Sequence, residues 1–421
     1  MFTRSIFALA IMVLLANAAH AAEEKKPDWN AETLTGDWGG TRSSLYDKGI
    51  DLGFTHKSDF LSNLSGGLKR GTAWMGHSEA RLNLDMEELL GWGGTTSYIH
   101  LHSDLGSKFN RDYAGSFNGV DNIETPANTA QFYQAWIQKN YSDDSLSVLA
   151  GLYAIDSEFY VTDTSGLFIQ PPYGMANDMA QSGQNGSPVF PTGALAVRLK
   201  YTAPDKSFYT QYALTDGVPG DPNSPYGTHI QLNKGDGTLS VLEFGLTPQS
   251  GESGAEAESF NKTAIGFWRY TAQLDDTVDL DTSGNPVRRP DQGIYFLFER
   301  TLKVEKDQPS QGLSGFVRFG TANGDIHQAD WTGSIGLRYH GLLEGRDDDI
   351  AGIAITCNHA SDKYRTNNNA ERADIGVEAT YRAQVNPWLA VQPTVQYIAN
   401  PNMDSALQNI WIVGARAEVS F

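Results

Sequence analysis

Short segments that alternate polar and apolar residues are the feature that most constrains the fold of this chain. In HSEARLNLDM, Leu82 and Leu84 fall on one side of an extended strand, and Arg81 and Asn83 fall on the other. Segments of about ten residues with this period recur between turn-rich stretches from Ile50 onward, which is typical of transmembrane barrel strands. The sequence therefore predicts an all-β fold.

The segments number about sixteen, an even count of the kind that bacterial single-chain barrels have. Their predicted starts lie near Ile50, His77, Thr95, Gln131, Ser145, Ala194, Ser207, Leu239, Lys262, Gly293, Ser314, Thr332, Ile350, Ala373, Leu389 and Asn409. Alternation alone also fits a soluble sandwich, whose polar face meets water and whose apolar face meets a core. Two features favour a transmembrane antiparallel β-barrel instead. Tyr and Trp recur near strand ends, and tight connections alternate with long polar ones such as 164–193.

The N-terminus predicts export from the cytoplasm. Arg4 precedes an apolar stretch at 6–15, and Ala19 and Ala21 form a small-residue cleavage site, so residues 1–21 are predicted to be a signal peptide. Residues 22–49 are predicted to be a periplasmic segment with a short helix, and residues 50–421 the barrel.

Charge and composition exclude several classes of protein. The chain has 31 Lys and Arg against 50 Asp and Glu, a formal net charge of -19, which argues against a nucleic-acid partner. A single cysteine, Cys357, excludes an internal disulfide. We find no G-x-S-x-G, H-E-x-x-H or Walker A motif, so we expect no enzyme and no cofactor.

Strand parity predicts which side chains face the lumen. Arg81 is the first candidate for a constriction, because its guanidinium can donate to two neighbouring hydroxyls, and Trp136 is the candidate aromatic platform for a sugar ring. The other predicted solute-contacting residues are Glu79, Asn83, Asp85, His102, Gln134, Gln138, Glu243, Glu299 and Glu378. For each of them a solvated lumen residue without a selective role stays open, and an unseen β-bulge would exchange the faces.

Two metal sites are considered and neither is expected. His100, His102 and Asp104 share a strand face that His77 could join, but two histidines at strand spacing do not make a convergent ligand set. The acidic 275–291 stretch begins like a calcium loop, although Pro290 stands where the closing Glu would be, and weak calcium binding there stays open.

Several segments carry a resemblance to a known family. LTGDWGG, LDMEELLGWGG, DNIETPANTAQFYQAW and QPTVQYIANP look like the carbohydrate-selective porins of the OprB type, over nearly the whole mature chain. The resemblance implies a sixteen-stranded barrel in outer-membrane lipid that lets sugars diffuse through a narrowed, charged lumen. It also implies a homotrimer, and Phe421 resembles the C-terminal signal read by the barrel-assembly machinery.

The sequence thus predicts a bacterial outer-membrane porin for mono- or small oligosaccharides. Three alternatives stay open: a porin for another small polar solute such as a hydroxylated organic acid, an outer-membrane hydrolase, and a soluble glycan-binding β-protein. The sequence leaves open which solute passes, and whether the long loops or the N-terminal helix gate the lumen.

Overall fold

The barrel is closed. The computed structural model describes residues 26–248 and 260–421, and within them sixteen antiparallel strands each pair with their neighbours in the sequence while β1 pairs with β16. The predicted all-β barrel of about sixteen strands is confirmed. The predicted signal peptide, 1–21, lies outside the described residues.

The strands have the following bounds: β1 Ile50–Ser65, β2 Gly71–Asp85, β3 Thr95–Gly106, β4 Thr129–Tyr141, β5 Leu146–Tyr153, β6 Ala194–Thr202, β7 Phe208–Asp216, β8 Thr238–Leu246, β9 Asn261–Leu280, β10 Pro286–Val304, β11 Gly312–Thr321, β12 Ala329–His340, β13 Ile350–Ala360, β14 Ala373–Asn386, β15 Leu389–Ala399 and β16 Ile410–Ser420. The predicted starts agree closely except in β2 and β10, which begin earlier than expected.

The early start of β2 has a packing cause. Its first inward residues, Ala73 and Met75, are apolar because they pack on Phe109 and Ile410. Both faces of the strand are apolar there, so the period-2 signal is lost. β10 begins with Pro286 and the adjacent Arg288 and Arg289, a composition typical of a turn. Its ladder with β9 is also interrupted by register shifts.

The two surfaces of the barrel differ as expected for a membrane protein. Large apolar side chains such as Phe244, Phe267, Phe296 and Phe319 point outward and are exposed, while the inward positions carry buried polar and charged groups. This surface contradicts the soluble alternative. Among the described residues, no helix is long and apolar enough to cross a bilayer.

Within the described residues, the α-helices Trp29–Glu32 and Thr41–Tyr46 precede β1, and the α-helices Met86–Leu90, Asn177–Ala180 and Asp362–Asn368 lie in connections between strands. Successive connections lie at opposite ends of the barrel. One end, called the turn end, also holds the described N-terminal segment and Phe421. The other end, called the loop end, has the longest connections, 107–128, 154–193 and 217–237. Barrels of the bacterial outer membrane have short periplasmic turns and longer outer loops.

The connection at 154–193, called the inner loop below, folds back into the barrel because wall carboxylates bind its main chain. Glu299 accepts hydrogen bonds from the Thr164 amide (3.0 Å) and hydroxyl (2.9 Å). Glu378 accepts from the amides of Ile169 (2.8 Å) and Gln170 (2.9 Å). Charge-assisted hydrogen bonds of this kind contribute about 1.5–3 kcal/mol each.

Two further wall residues extend this attachment. Glu243 accepts from the Tyr160 amide (2.9 Å), and the buried Arg318 donates to the carbonyls of Tyr160 (2.9 Å), Gly174 (2.7 Å) and Tyr173. The inner loop therefore lies along the inner wall from β8 to β14.

The loop 107–128, called the second loop below, is attached in the same way. Asp374 accepts from the Phe117 amide (2.7 Å) and the Asn118 side chain (2.6 Å). Arg416 pairs with Asp59 (2.6 Å) on β1 and with Asp121 (3.2 Å) of this loop. Two loops thus enter the lumen from the loop end.

At the turn end, the N-terminal segment fastens the last strand to the first. The buried Arg42 side chain donates to the carbonyls of Phe421 (2.8 Å) and Leu52 (2.7 Å) and to the Thr33 hydroxyl (3.2 Å). The Phe421 amide in turn donates to the Phe54 carbonyl (2.9 Å). One side chain therefore bridges both strands at the seam where the barrel closes.

We expect Arg42→Ala to lower the free energy of unfolding by roughly 3 kcal/mol, because two partly buried main-chain oxygens lose a charged donor. The measurement is the urea midpoint of the detergent-solubilised barrel, read by its heat-modifiable migration in gels. Arg111→Ala, which removes an exposed arginine paired with Asp112, is the matched control. Equal shifts in the two variants would contradict the role given to Arg42.

We expect Glu378→Ala to loosen the inner loop. Loss of two charge-assisted hydrogen bonds lowers the cost of local opening by roughly 3 kcal/mol, so chymotrypsin should cleave within 154–193 about 100-fold faster. Glu344→Ala, which removes an exposed carboxylate in a turn between β12 and β13, is the control. An unchanged cleavage rate in Glu378→Ala would show that the loop is held by other contacts.

Candidate pore and constriction

The part of the lumen that the two loops leave open is a cavity of about 450 Å³. Its wall is formed by β1 to β6, and the inner loop and the second loop close it from the opposite side. The wall residues that line it are Lys57, His77, Glu79, Arg81, Asn83, Tyr98, His100, Tyr133, Gln134, Trp136, Gln138, Leu149, Tyr153 and Arg198. The cavity is therefore displaced toward one side of the barrel.

Strand register sorts part of this wall into two rows across β2, β3 and β4. Arg81 lies opposite His100, which lies opposite Gln134. One step toward the turn end, Asn83 lies opposite Tyr98, which lies opposite Trp136. Hydrogen-bonding groups dominate the first row and aromatic rings the second.

Arg81 is the main free donor of the first row. It contacts Glu79, its ion-pair partner in the described part of the chain, and this leaves most of its N–H donors available. Lys57 lies 3.6 Å from the other carboxylate oxygen of Glu79. The Arg81 side chain is 17% exposed, so it borders the cavity without being freely solvated.

The second row holds an aromatic pair. The rings of Tyr98 and Trp136 lie 5.3 Å apart with an interplanar angle of 38°. Trp136 donates its indole N–H to Gln134 (3.2 Å), which fixes the orientation of the ring. Sequence reasoning selected Trp136 and missed Tyr98, although Tyr98 shares the parity of His100.

Tyr133 was missed for a different reason. The ladder between β3 and β4 shifts register between His100 and Leu101, so Tyr133 is an extra residue on β4. This bulge turns Tyr133 inward beside Gln134, where strict alternation would place it outside. Its hydroxyl donates to Asp156 of the inner loop at 2.5 Å. The alternation of polar and apolar residues along β4 does not indicate the bulge at Tyr133.

Charge on the β6 side of the cavity is balanced. Arg198 donates to Glu158 (2.8 Å) and to Gln138, so the polar groups of these three side chains are engaged in hydrogen bonds with one another. Burial opposes ionisation of Glu158, but the neighbouring Arg198 and Lys200 hold the pKa of this carboxyl at about 2. Burial raises the pKa of the Asp156 carboxyl, to which Tyr133 donates.

The structure places the predicted solute-contacting residues in two groups. Arg81, Glu79, Asn83, Gln134, Trp136 and Gln138 line the cavity. Glu243, Glu299 and Glu378 face inward as parity predicted, but they are at most 2% exposed because the inner loop covers them. They hold the loop and do not border the cavity.

Asp85 and His102 also lie outside the cavity lining. Asp85 caps the helix Met86–Leu90 at the turn end by accepting from the amides of Glu87 (2.9 Å) and Glu88 (3.3 Å). Acidic side chains are favoured there because they satisfy free helix N–H groups. His102 lies behind Phe190, with the ring centroids 5.3 Å apart.

The acidic stretch considered for calcium is engaged by protein groups. Lys363 contacts Asp276 (2.6 Å) and Asp279 (2.8 Å), and Arg289 donates to both carboxylates. The Asp281 carboxylate accepts main-chain amides of its own turn. These oxygens are therefore bound by cations and amides of the chain itself.

Comparisons with known proteins agree with this architecture. Porin B of Pseudomonas aeruginosa is 25% identical over 457 residues, covering 99% of this chain and 96% of that protein. A putative porin, QuiX, of Acinetobacter baylyi is 21% identical over 92% of this chain and 93% of its own length.

Solved structures show the same fold. The high-pH structure of Pseudomonas putida OprB superposes with a TM-score of 0.81 at 21% identity, over 93% of this chain and 99% of that one. The sequence model of the carbohydrate-selective porin OprB family matches residues 69–421. This chain belongs to the OprB family of carbohydrate-selective porins of the outer membrane.

Proposed function

We propose that single sugar molecules diffuse passively through the cavity between the β1–β6 wall and the two inserted loops, and that Arg81 and the Tyr98–Trp136 pair recognise them. The observation that carries this proposal is the pair of adjacent rows across β2, β3 and β4. A sugar ring has hydroxyls around its edge and C–H groups on its faces. The two rows offer donors and acceptors beside aromatic faces, which matches both kinds of surface.

Each row has a separate task in this proposal. Arg81, Asn83 and Gln134 replace water around the hydroxyls, and a pore must do this weakly enough for the solute to leave. Tyr98 and Trp136 give the ring an apolar surface along which it slides. Lys57 and Glu79 neighbour Arg81 with opposite charges, so the Glu79 carboxylate offsets one of the two positive charges at this point.

Family membership indicates a channel rather than an enzyme. We propose further that solutes pass without chemical conversion, that the chain forms a homotrimer, and that Phe421 is read by the barrel-assembly machinery. The last two points are supported by the family resemblance. Native mass spectrometry of the detergent-extracted protein should detect three chains per particle, and a monomer would contradict the trimer.

We expect Arg81→Ala to weaken glucose binding in the pore by about tenfold, because a charged donor to a neutral hydroxyl contributes about 1.5–3 kcal/mol. Trp136→Ala should weaken it similarly by removing the aromatic surface. The measurement is the glucose concentration that half-blocks single-channel current in planar bilayers.

Two variants outside the cavity serve as controls. Arg288→Ala removes a half-exposed arginine paired with Asp275, and Trp411→Ala removes an outward-facing ring. Neither should change the block. The protein could form stable channels whose current is blocked by gluconate but not by glucose. That result would overturn the sugar proposal in favour of a porin for hydroxylated acids.

A further inference from the structure

A cluster of two histidines and one aspartate lies in the wall beside the cavity. His77 on β2 is the register partner of Asp104 on β3. One oxygen of Asp104 lies 2.6 Å from Nδ1 of His77, and the other lies 2.6 Å from Nδ1 of His102. The three residues are only 3%, 2% and 1% exposed. Both imidazole rings thus turn the same nitrogen toward one carboxylate.

The contact between His102 and Asp104 is short but poorly satisfied. Nδ1 of His102 and Oδ2 of Asp104 lie 2.6 Å apart, yet both atoms are buried and neither has a hydrogen-bond partner of good geometry. Buried polar atoms are rarely left in this state. Among the described residues, Asp104 forms ion pairs with these two histidines alone and with no Lys or Arg. No permanent cation is therefore in direct contact with this buried carboxylate, although Lys108 acts on it from farther away.

The far side of each ring is held by an acceptor. Nε2 of His77 lies 2.8 Å from Glu79, and Nε2 of His102 lies 3.0 Å from the Pro191 carbonyl, to which Gln131 also donates (2.6 Å). Histidines that bind metals usually donate their second N–H to a carboxylate or a main-chain carbonyl, which fixes the tautomer. Nδ1 of His77 donates to Asp104 when no metal is bound, so a metal would take the place of that proton. With the protons on Nε2, both Nδ1 lone pairs point toward Asp104.

We propose that the Nδ1 atoms of His77 and His102 and a carboxylate oxygen of Asp104 bind one divalent transition-metal ion such as Zn²⁺. The ligand atoms lie within 4.8 Å of one another. Tetrahedral zinc with bonds of about 2.0 Å needs ligand atoms about 3.3 Å apart, so the 2.6 Å contacts have to widen by less than 1 Å. Two imidazoles and a carboxylate suit zinc, copper or nickel.

The metal supplies what the cluster lacks. It places positive charge beside Asp104, replaces the proton between Nδ1 of His77 and Asp104, and gives Nδ1 of His102 and Oδ2 of Asp104 a common partner. The sequence argument expected no metal because His100 and His102 alone do not converge. The structure replaces His100 with His77 from the adjacent strand, and this brings three ligand atoms to one point.

The position of the cluster connects it to the pore. The Phe190 ring packs against both histidines, at 5.3 Å from each, and His77 itself borders the cavity. An ion there orients His102, whose Nε2–H holds the Pro191 carbonyl. The metal thus stabilises the contact between the last part of the inner loop and the wall. Its binding is measured without any solute and does not depend on the proposed sugar transport.

The test is a Zn²⁺ titration of the mature, untagged protein in detergent after EDTA treatment, followed by isothermal calorimetry and metal analysis. We expect one Zn²⁺ per chain. His102→Gln and Asp104→Asn should each lower the affinity at least about tenfold. His100→Gln is the matched control, since His100 lies on the same strand and face but outside the ligand set, and it should bind as the unaltered protein does.

Absence of stoichiometric zinc, or equal losses in His100→Gln and His102→Gln, would overturn the proposal. Because the ligand variants could fail to fold, Co²⁺ is added to the unaltered protein as a second measurement. The intense visible absorption of tetrahedral cobalt would support the site. A weak octahedral spectrum would contradict the proposed coordination.

Discussion

The rest of this structure depends on hydrogen bonds between glutamate and arginine side chains of the barrel wall and the main chain of the inserted loops. Sixteen strands enclose a lumen wide enough for an aqueous channel. A loop that enters it brings amides and carbonyls that need partners. Glu299 and Glu378 supply acceptors, and Arg318 supplies donors, so the loop main chain is satisfied although its only regular structure is single helical turns such as Asn177–Ala180.

This attachment decides which wall residues a solute can reach. The inner loop covers the wall from β8 to β14, and inward-facing carboxylates there become buried anchors. The wall from β1 to β6 is covered only in part, by contacts such as Phe190 on His102 and Glu158 on Arg198, and its hydrogen-bonding and aromatic rows border the cavity. Two sets of polar residues with the same strand parity therefore have different roles, one structural and one facing the passing solute.

Strand alternation predicted the barrel and the face of most side chains, because one face meets lipid and the other does not. It did not predict what covers an inward residue, so Glu243, Glu299 and Glu378 were assigned to the cavity. Burial under a loop leaves no trace in the period of the strand. Asp85 was misplaced because the strand ends there and a helix begins, which reassigns the carboxylate to a cap.

Tyr133 and His77 show two other limits. A bulge adds Tyr133 to the wall by a change of register that depends on both strands, and one strand alone does not reveal it. The convergence of His77 with His102 and Asp104 depends on which residues of β2 and β3 stand opposite each other. Pairing between strands is set by the loops and the closure of the barrel, beyond the reach of a local pattern.

The wall anchors recognise mainly amides and carbonyls, which every residue except proline carries in full, and few side chains of the inner loop, such as the Thr164 hydroxyl. The loop can therefore exchange side chains that face the cavity, such as Met175, while its path stays fixed. Selection can act on the solute-facing surface with little cost to folding. A barrel built in this way is a stable frame within which specificity can diverge among relatives.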